Sequence, residues 1–168
     1  MSKVIIVSDS HGLIEPLERI YHHFKDEVDY FIHCGDSELK PNHELFKVYK
    51  SVKGNCDSEP FPSLEKVMVN DKAILFTHGH HYGVKFNLNR LYYLGEENQA
   101  DVVCFGHTHT PVVEEVENRL LINPGSLKHN RGFLNKVPES FALLEIKANE
   151  IKVKHLDCET FKEIKLRK

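Results

Sequence analysis

The sequence has no C-x-x-C pair, no long apolar run, no internal repeat and no low-complexity linker. Its four cysteines, Cys34, Cys56, Cys104 and Cys158, therefore lack the spacing of a zinc ribbon or a dithiol redox motif. Two of them sit in apolar strand-like runs, which suits reduced thiols in a cytoplasmic protein. The N-terminal apolar run covers only residues 4–7, too short for a secretory leader or a membrane span. Basic charge is lacking too: 22 Lys and Arg against 25 Asp and Glu leave −3. No extended nucleic-acid surface is expected from that balance. The 168 residues suit one domain over residues 1–168 with a real core. Histidine is what the chain has in excess, twelve in all. Imidazole is the commonest metal ligand, although His22, His23, His43 and His155 read as solvent-exposed.

Residues 3–8 are a short β-branched run, read as a central strand buried on both faces. It ends in Asp9-Ser10-His11-Gly12, and Leu13, Leu17, Ile20, Tyr21 and Phe24 then follow helical spacing. Residues 30–34 are a second strand, ending in Gly35-Asp36; His33 reads as a core or strand-face residue. Residues 42–50 read as a short helix with Leu45, Phe46 and Tyr49 on one face, before Gly54-Asn55-Cys56-Asp57. A hairpin of residues 66–69 and 72–77 runs into His78-Gly79-His80-His81. Residues 87–98 read as a helix with core aromatics. Residues 102–105 are a buried strand delivering Gly106-His107-Thr108-His109. Side chains two apart on an extended chain point the same way, so these two imidazoles can aim at one place. A second hairpin, 112–116 with 120–122, exits into Asn123-Pro124-Gly125-Ser126. Residues 127–138, with Lys128, His129 and Arg131, read as a polar loop. Residues 141–146 and 151–156 read as a closing hairpin around Ala148-Asn149.

The strand exits thus offer Asp9, His11, Asp36, Asn55, His78, His107 and His109: two carboxylates, one amide oxygen and four imidazoles. Such a mixture suits hard or borderline divalent ions and not a thiolate site. It exceeds the roughly three or four side chains that one catalytic ion takes. Two ions about 3.5–4 Å apart would use it without surplus.

The order D-x-H, G-D, G-N, H, G-H-x-H, here Asp9-Ser-His11, Gly35-Asp36, Gly54-Asn55, His78 and Gly106-His-Thr-His109, resembles the calcineurin-like metallophosphoesterases. His-Cys-Gly-Asp at 33–36, Gly-Asn-Cys-Asp at 54–57 and Asn-Pro-Gly-Ser at 123–126 look most like the small YfcE-like phosphodiesterase subgroup. The match spans residues 4–126. The resemblance implies an α/β fold, a four-layer α/β/β/α sandwich with metals at strand C-terminal ends. It implies one ion on Asp9, His11 and His109, another on Asn55, His78 and His107, and Asp36 between them. It further implies two divalent ions, manganese ahead of nickel, iron or zinc, and phosphodiester hydrolysis by attack of a metal-bridging hydroxide on phosphorus. Asp36, Asn55 and His107 are then the residues nearest the chemistry. The implied partner is a small phosphodiester or nucleotide-like substrate, with no membrane, and a homo-oligomer is left open. In one respect the chain departs from the pattern: Cys56 stands where much of the family has a histidine that protonates the leaving group. His80 is a substitute acid, with a supporting or solvent-facing place as its plainer role. The rival reading is a non-catalytic interaction scaffold of the same fold, like the retromer subunit, whose metal site has lost ligands; here no ligand position is lost.

Overall fold

The computed structural model describes residues 1–128, 137–148 and 150–166. His129, Arg131 and Asn149, expected in a loop and a turn, lie outside those residues. In chain order the elements are β1 (Ser2–Val7), α1 (Glu15–Phe24), β2 (Tyr30–His33), β3 (Tyr49–Ser51), β4 (Leu64–Val69), β5 (Lys72–Thr77), α2 (Asn89–Glu97), β6 (Val102–Cys104), β7 (Val112–Val116), β8 (Arg119–Asn123), β9 (Ser140–Lys147), β10 (Glu150–Asp157) and β11 (Glu163–Ile164). They form a six-stranded sheet ordered β11-β10-β9-β1-β2-β3 and a five-stranded sheet ordered β4-β5-β6-β8-β7.

Strand period explains the layering. On β1, Val4 and Ile6 point one way, into a core shared with Ile74, Phe76, Val102, Cys104 and Ile122 of the other sheet. Ile5 and Val7 point the other way, against Leu17, Ile20 and Phe24 of α1. In the second sheet Leu75, Val103, Phe105 and Leu121 turn outward to Leu91 of α2. Both faces of the central strands are thus buried, which is why they read as continuous apolar runs. The layers are helix, sheet, sheet, helix, as the resemblance implies. Among the described residues no helix is long and apolar enough to cross a membrane.

Parallel pairing gathers the strand exits. β1, β2 and β3 are mutually parallel neighbours, and so are β5, β6 and β8. Their C-terminal ends therefore open along one edge of each sheet, where ligand sites of α/β proteins form.

Three local expectations fail. The helix expected over 42–50 is a single 3-10 turn, Glu44–Lys47, followed by β3. Tyr49 pairs beside Phe31 in the sheet, packs edge-on to its ring and donates its hydroxyl to the Leu17 carbonyl at 2.9 Å. Those tertiary contacts outweigh three apolar residues at helical spacing. Two aromatics expected in the core around α2 do not pack there: Phe86 is 92% exposed and Tyr93 60%. His155 is buried, not exposed, with Nε2 2.7 Å from the Asn123 carbonyl. His22 and His23 are exposed and His43 is half-buried.

Candidate metal centre

Six side chains from both sheets converge at the gathered strand ends: Asp9, His11, Asp36, Asn55, His78 and His109. Asp9 follows β1 and is fully buried. Its Oδ2 accepts from the Ser8 hydroxyl at 2.5 Å and from the His107 backbone N–H at 3.1 Å. Its Oδ1 faces three imidazole Nε2 atoms: His109 at 3.1 Å, His11 at 3.7 Å and His78 at 3.9 Å. Yet Oδ1 accepts no hydrogen bond among the described residues. Asp36, after β2, has Oδ2 3.2 Å from His78 Nε2, and its Oδ1 accepts from the Cys56 backbone N–H at 2.7 Å. Asn55 Oδ1 stands 3.1 Å from the same His78 Nε2.

Hydrogen bonds on the far side of each ring fix what it presents. His11 Nδ1 donates to the Glu38 carboxylate at 2.7 Å, and His78 Nδ1 donates to the Cys34 carbonyl at 2.8 Å. Both acceptors lack a proton, so each Nε2 is the nitrogen turned inward, the arrangement typical of metal-ligating histidines. Three groups of donor atoms are compact enough to hold an ion: Asp9, His11 and His109; Asp9, Asp36 and His78; and His11, Asp36 and Cys56. Asp9 is common to the first two groups and Asp36 to the last two. His107 is in none of them; its ring meets the His78 ring edge-on at 5.2 Å between centroids. His80 lies 5.3 Å from the His78 ring, and its buried Nδ1 has no hydrogen-bond partner among the described residues. Cys56 is exposed.

The backbone around the cluster is unusual. Asp9, His11, Asp36, His107 and His109 all have positive φ, at 54°, 43°, 57°, 69° and 59°. Two glycines leave room that no side chain could share. A Cβ at Gly54 would strike the Asp36 carboxylate, and one at Gly106 would strike the Ser8 hydroxyl and Asp9.

Electrostatics divide the imidazoles. Burial alone would raise the Asp9 carboxyl, but His109, His11 and His78 outweigh it and hold it far below the usual carboxylate range. Asp36 is likewise lowered, with His78 overcoming its burial. His11 is raised by Asp9, and by Glu38 against the cost of burial. His78 is also raised, because Asp36 and Asp9 outweigh its desolvation. His107 is pushed down to about 4 by burial and by the charges of His78 and Lys85. His33, also near 4 through burial, is a neutral packing residue held by the Ser10 hydroxyl at 2.9 Å and the Gly35 N–H at 3.1 Å.

Several supporting residues have roles that the sequence did not assign. Buried Asp57 accepts from the backbone N–H of Asp36 at 2.8 Å, Glu38 at 2.7 Å and Gly54 at 2.7 Å, clamping the β2 exit to the β3 exit. The Asn123 amide donates to the Gly106 carbonyl at 3.0 Å and the Thr108 hydroxyl at 2.9 Å. Ser126 donates to the Asp9 carbonyl at 3.0 Å. Asp57 lies in the quoted Gly54-Asn-Cys-Asp57, and Asn123 and Ser126 in the quoted Asn123-Pro-Gly-Ser126; Glu38, which orients His11, belongs to no motif.

The calcineurin-like phosphoesterase superfamily domain matches residues 2–149. The chain is 43% identical to the probable metallophosphoesterase YsnB of Bacillus subtilis, over 92% of this chain and 90% of that protein. It is 30% identical to the phosphodiesterase YfcE of Escherichia coli K12, over 86% and 88% of the two chains. A conserved Streptococcus pneumoniae TIGR4 protein, described as a predicted phosphoesterase, superposes with a TM-score of 0.88 at 32% identity, over 94% and 90%. Vps29 of Cryptosporidium parvum shares the fold, with a TM-score of 0.79 at 21% identity over 97% and 94%. Motif order, layer architecture and these matches agree: the chain belongs to the calcineurin-like phosphoesterase superfamily and is a metal-dependent hydrolase.

Proposed function

We propose that this protein hydrolyses small phosphodiesters with two divalent ions, one held by Asp9, His11 and His109, the other by Asn55, His78 and His107, with Asp36 shared. The carrying observation is Asp9 Oδ1, a buried carboxylate oxygen that three imidazole Nε2 atoms surround at 3.1 to 3.9 Å. A divalent cation suits a carboxylate oxygen and imidazole nitrogens once those rings give up their Nε2 protons. Bound there, divalent ions supply the charge that brings the pKa of water toward neutrality and steadies the oxygens of a displacement at phosphorus. The chain's residues position everything else. Glu38 and the Cys34 carbonyl hold His11 and His78 in register, and depressed His107 stays neutral at physiological pH, free to act as a ligand. The mixed oxygen and imidazole donors suit manganese, nickel, iron or zinc, and the family resemblance puts manganese first. Four unpaired cysteines suit the cytoplasm. The name of YfcE supports a diester as substrate. A scaffold role draws support only from the fold shared with Vps29, and every expected ligand side chain is present here. Chelation should remove diesterase activity and Mn²⁺ should restore it; an apoprotein with full activity would end the proposal.

The ion pairs of the cluster give a pH dependence with two opposite signs. Asp9 and Asp36 are held low, so their contribution to stability is present above about pH 4 and lost as pH falls through their lowered values. His11 and His78 are held high, so theirs is present below about pH 6.5 and lost as pH rises through their raised values. The cluster of the metal-free protein therefore contributes most between about pH 4 and 6.5. Metal requires the same two imidazoles unprotonated, so affinity should climb where that contribution fades. Melting curves in chelator and in excess Mn²⁺ should diverge as pH rises above about 6.5. Curves that run parallel would mean that no proton is exchanged for an ion.

Cys56 sets which esters are cleaved well. Burial and the Asp36 charge push its thiol up to about 11, so it is a weak proton donor to a departing alkoxide. A nitrophenolate leaves without such help. Cys56→His should therefore raise kcat/KM for alkyl diesters by up to roughly tenfold, below the 10²–10⁴ of an optimised general acid. Bis-nitrophenyl phosphate should gain far less. A uniform change on both substrates at equal metal content would show that the position affects binding or loading instead.

A further inference from the structure

Two hollows flank the cluster. The smaller, of about 280 Å³, is lined by Lys53, Asn55, Asp57, Ser63, His80 and His81, on the Cys56 side. The larger, of about 550 Å³, abuts the His107-Thr108-His109 turn and is lined by Lys85, Phe86, Asn87, Thr108, Thr110 and Val112 among others. A diester held at the cluster must send two organic arms outward, and an in-line displacement sends the leaving arm away from the attacking oxygen. The acid position, Cys56, assigns the leaving arm to the smaller hollow.

We infer that the larger hollow binds the arm that stays on phosphorus, and that this arm carries a flat aromatic group stacked on Phe86. The inference rests on the phosphodiesterase reading above. Its volume lies in the range of small-molecule sites. Phe86 is 92% exposed, beside the buried Phe105 ring, and has no ring partner among the described residues. A large aromatic face left in water at the mouth of a hollow is a platform for a planar group. Lys85 lines the same hollow with Glu114, and its charge reaches His107, so a cation stands within electrostatic reach of the cluster that holds the phosphoryl group. The wall between them is braced, because the Thr108 hydroxyl is held by Asn123. Asn87 and Thr110 add the few polar groups that fix orientation. A nucleobase and a simple aryl ring share this chemistry.

The test uses three nitrophenyl esters with the full-length Mn²⁺-loaded protein, in which nitrophenolate always leaves and the retained arm is thymidine 5′-phosphate, phenyl phosphate or methyl phosphate. Phe86→Ala should lower kcat/KM for the aromatic-armed esters about tenfold more than for the methyl ester, within the range of base stacking on a side chain. Phe86→Trp should recover the difference. A relative loss on the thymidine ester alone identifies a nucleobase site, and one on the phenyl ester as well identifies a general aryl site. Equal effects on all three esters overturn the inference. A wild-type protein that cleaves none of them in any metal overturns the phosphodiesterase reading, and the inference falls with it. Phe86 is exposed, so its truncation leaves the fold intact.

Discussion

Asp36→Asn is expected to abolish diester hydrolysis and to lower bound metal while the chain stays folded. Asp36 is 2% exposed, with one oxygen 3.2 Å from His78 Nε2 and the other bonded to the Cys56 N–H. Asparagine keeps the shape and one acceptor oxygen, so the Cys56 contact can survive. What goes is the negative charge, and in its place an amide NH₂ competes with a cation for the same space. The loss in kcat/KM should exceed the roughly 10–100-fold that removal of an outer hydrogen-bond partner costs a metal site. Metal per chain by elemental analysis should fall with it. Met68→Ala, at an exposed position on β4, serves as the control and should bind metal and turn over like the native protein. Full metal content and native turnover in Asp36→Asn would sink the shared-ligand assignment.

Asp57→Ala should produce the largest loss of stability of any single polar substitution near the site. Three backbone N–H groups, of Asp36, Glu38 and Gly54, converge on one carboxylate that is 5% exposed. Alanine leaves all three without an acceptor, and each buried unsatisfied group costs about 1–3 kcal/mol. Some will rebind water, so a net loss of about 3 kcal/mol is expected in urea unfolding. Asp57→Asn, which retains one oxygen, should lose less. Metal affinity should fall roughly 10–100-fold alongside, because Asp36 and Asn55 lose their relative placement. An unfolding free energy within about 0.5 kcal/mol of native for Asp57→Ala would mean that the two strand exits are held by something else.

The strand exits were legible for a physical reason. Parallel strands buried on both faces must be apolar throughout and must stop at residues that tolerate a turn, so each motif announced its own place. The layers followed from the same alternation, Val4 and Ile6 against Ile5 and Val7. Illegible were features set by distant partners. β3 is a strand because Tyr49 finds Phe31 and the Leu17 carbonyl, and nothing within residues 42–50 says so. His155 is buried because β10 brings it to the Asn123 carbonyl. Glu38 and Asp57 look like ordinary turn acids; their roles exist only once two strand exits lie side by side. The ligand types could be read from the chain, whereas the hydrogen bonds that aim them could not.

The left-handed backbone at Asp9, His11, Asp36, His107 and His109 also has a bearing on laboratory evolution. Each non-glycine residue so held stores on the order of 1–2 kcal/mol that glycine would release. A library sorted for heat resistance alone, in the presence of chelator, would therefore accept glycine first at His107, whose side chain is in none of the compact donor groups, while the hydrogen bonds of Asp9, His11 and Asp36 would resist it. Only a sort that demands turnover would keep the original letter there.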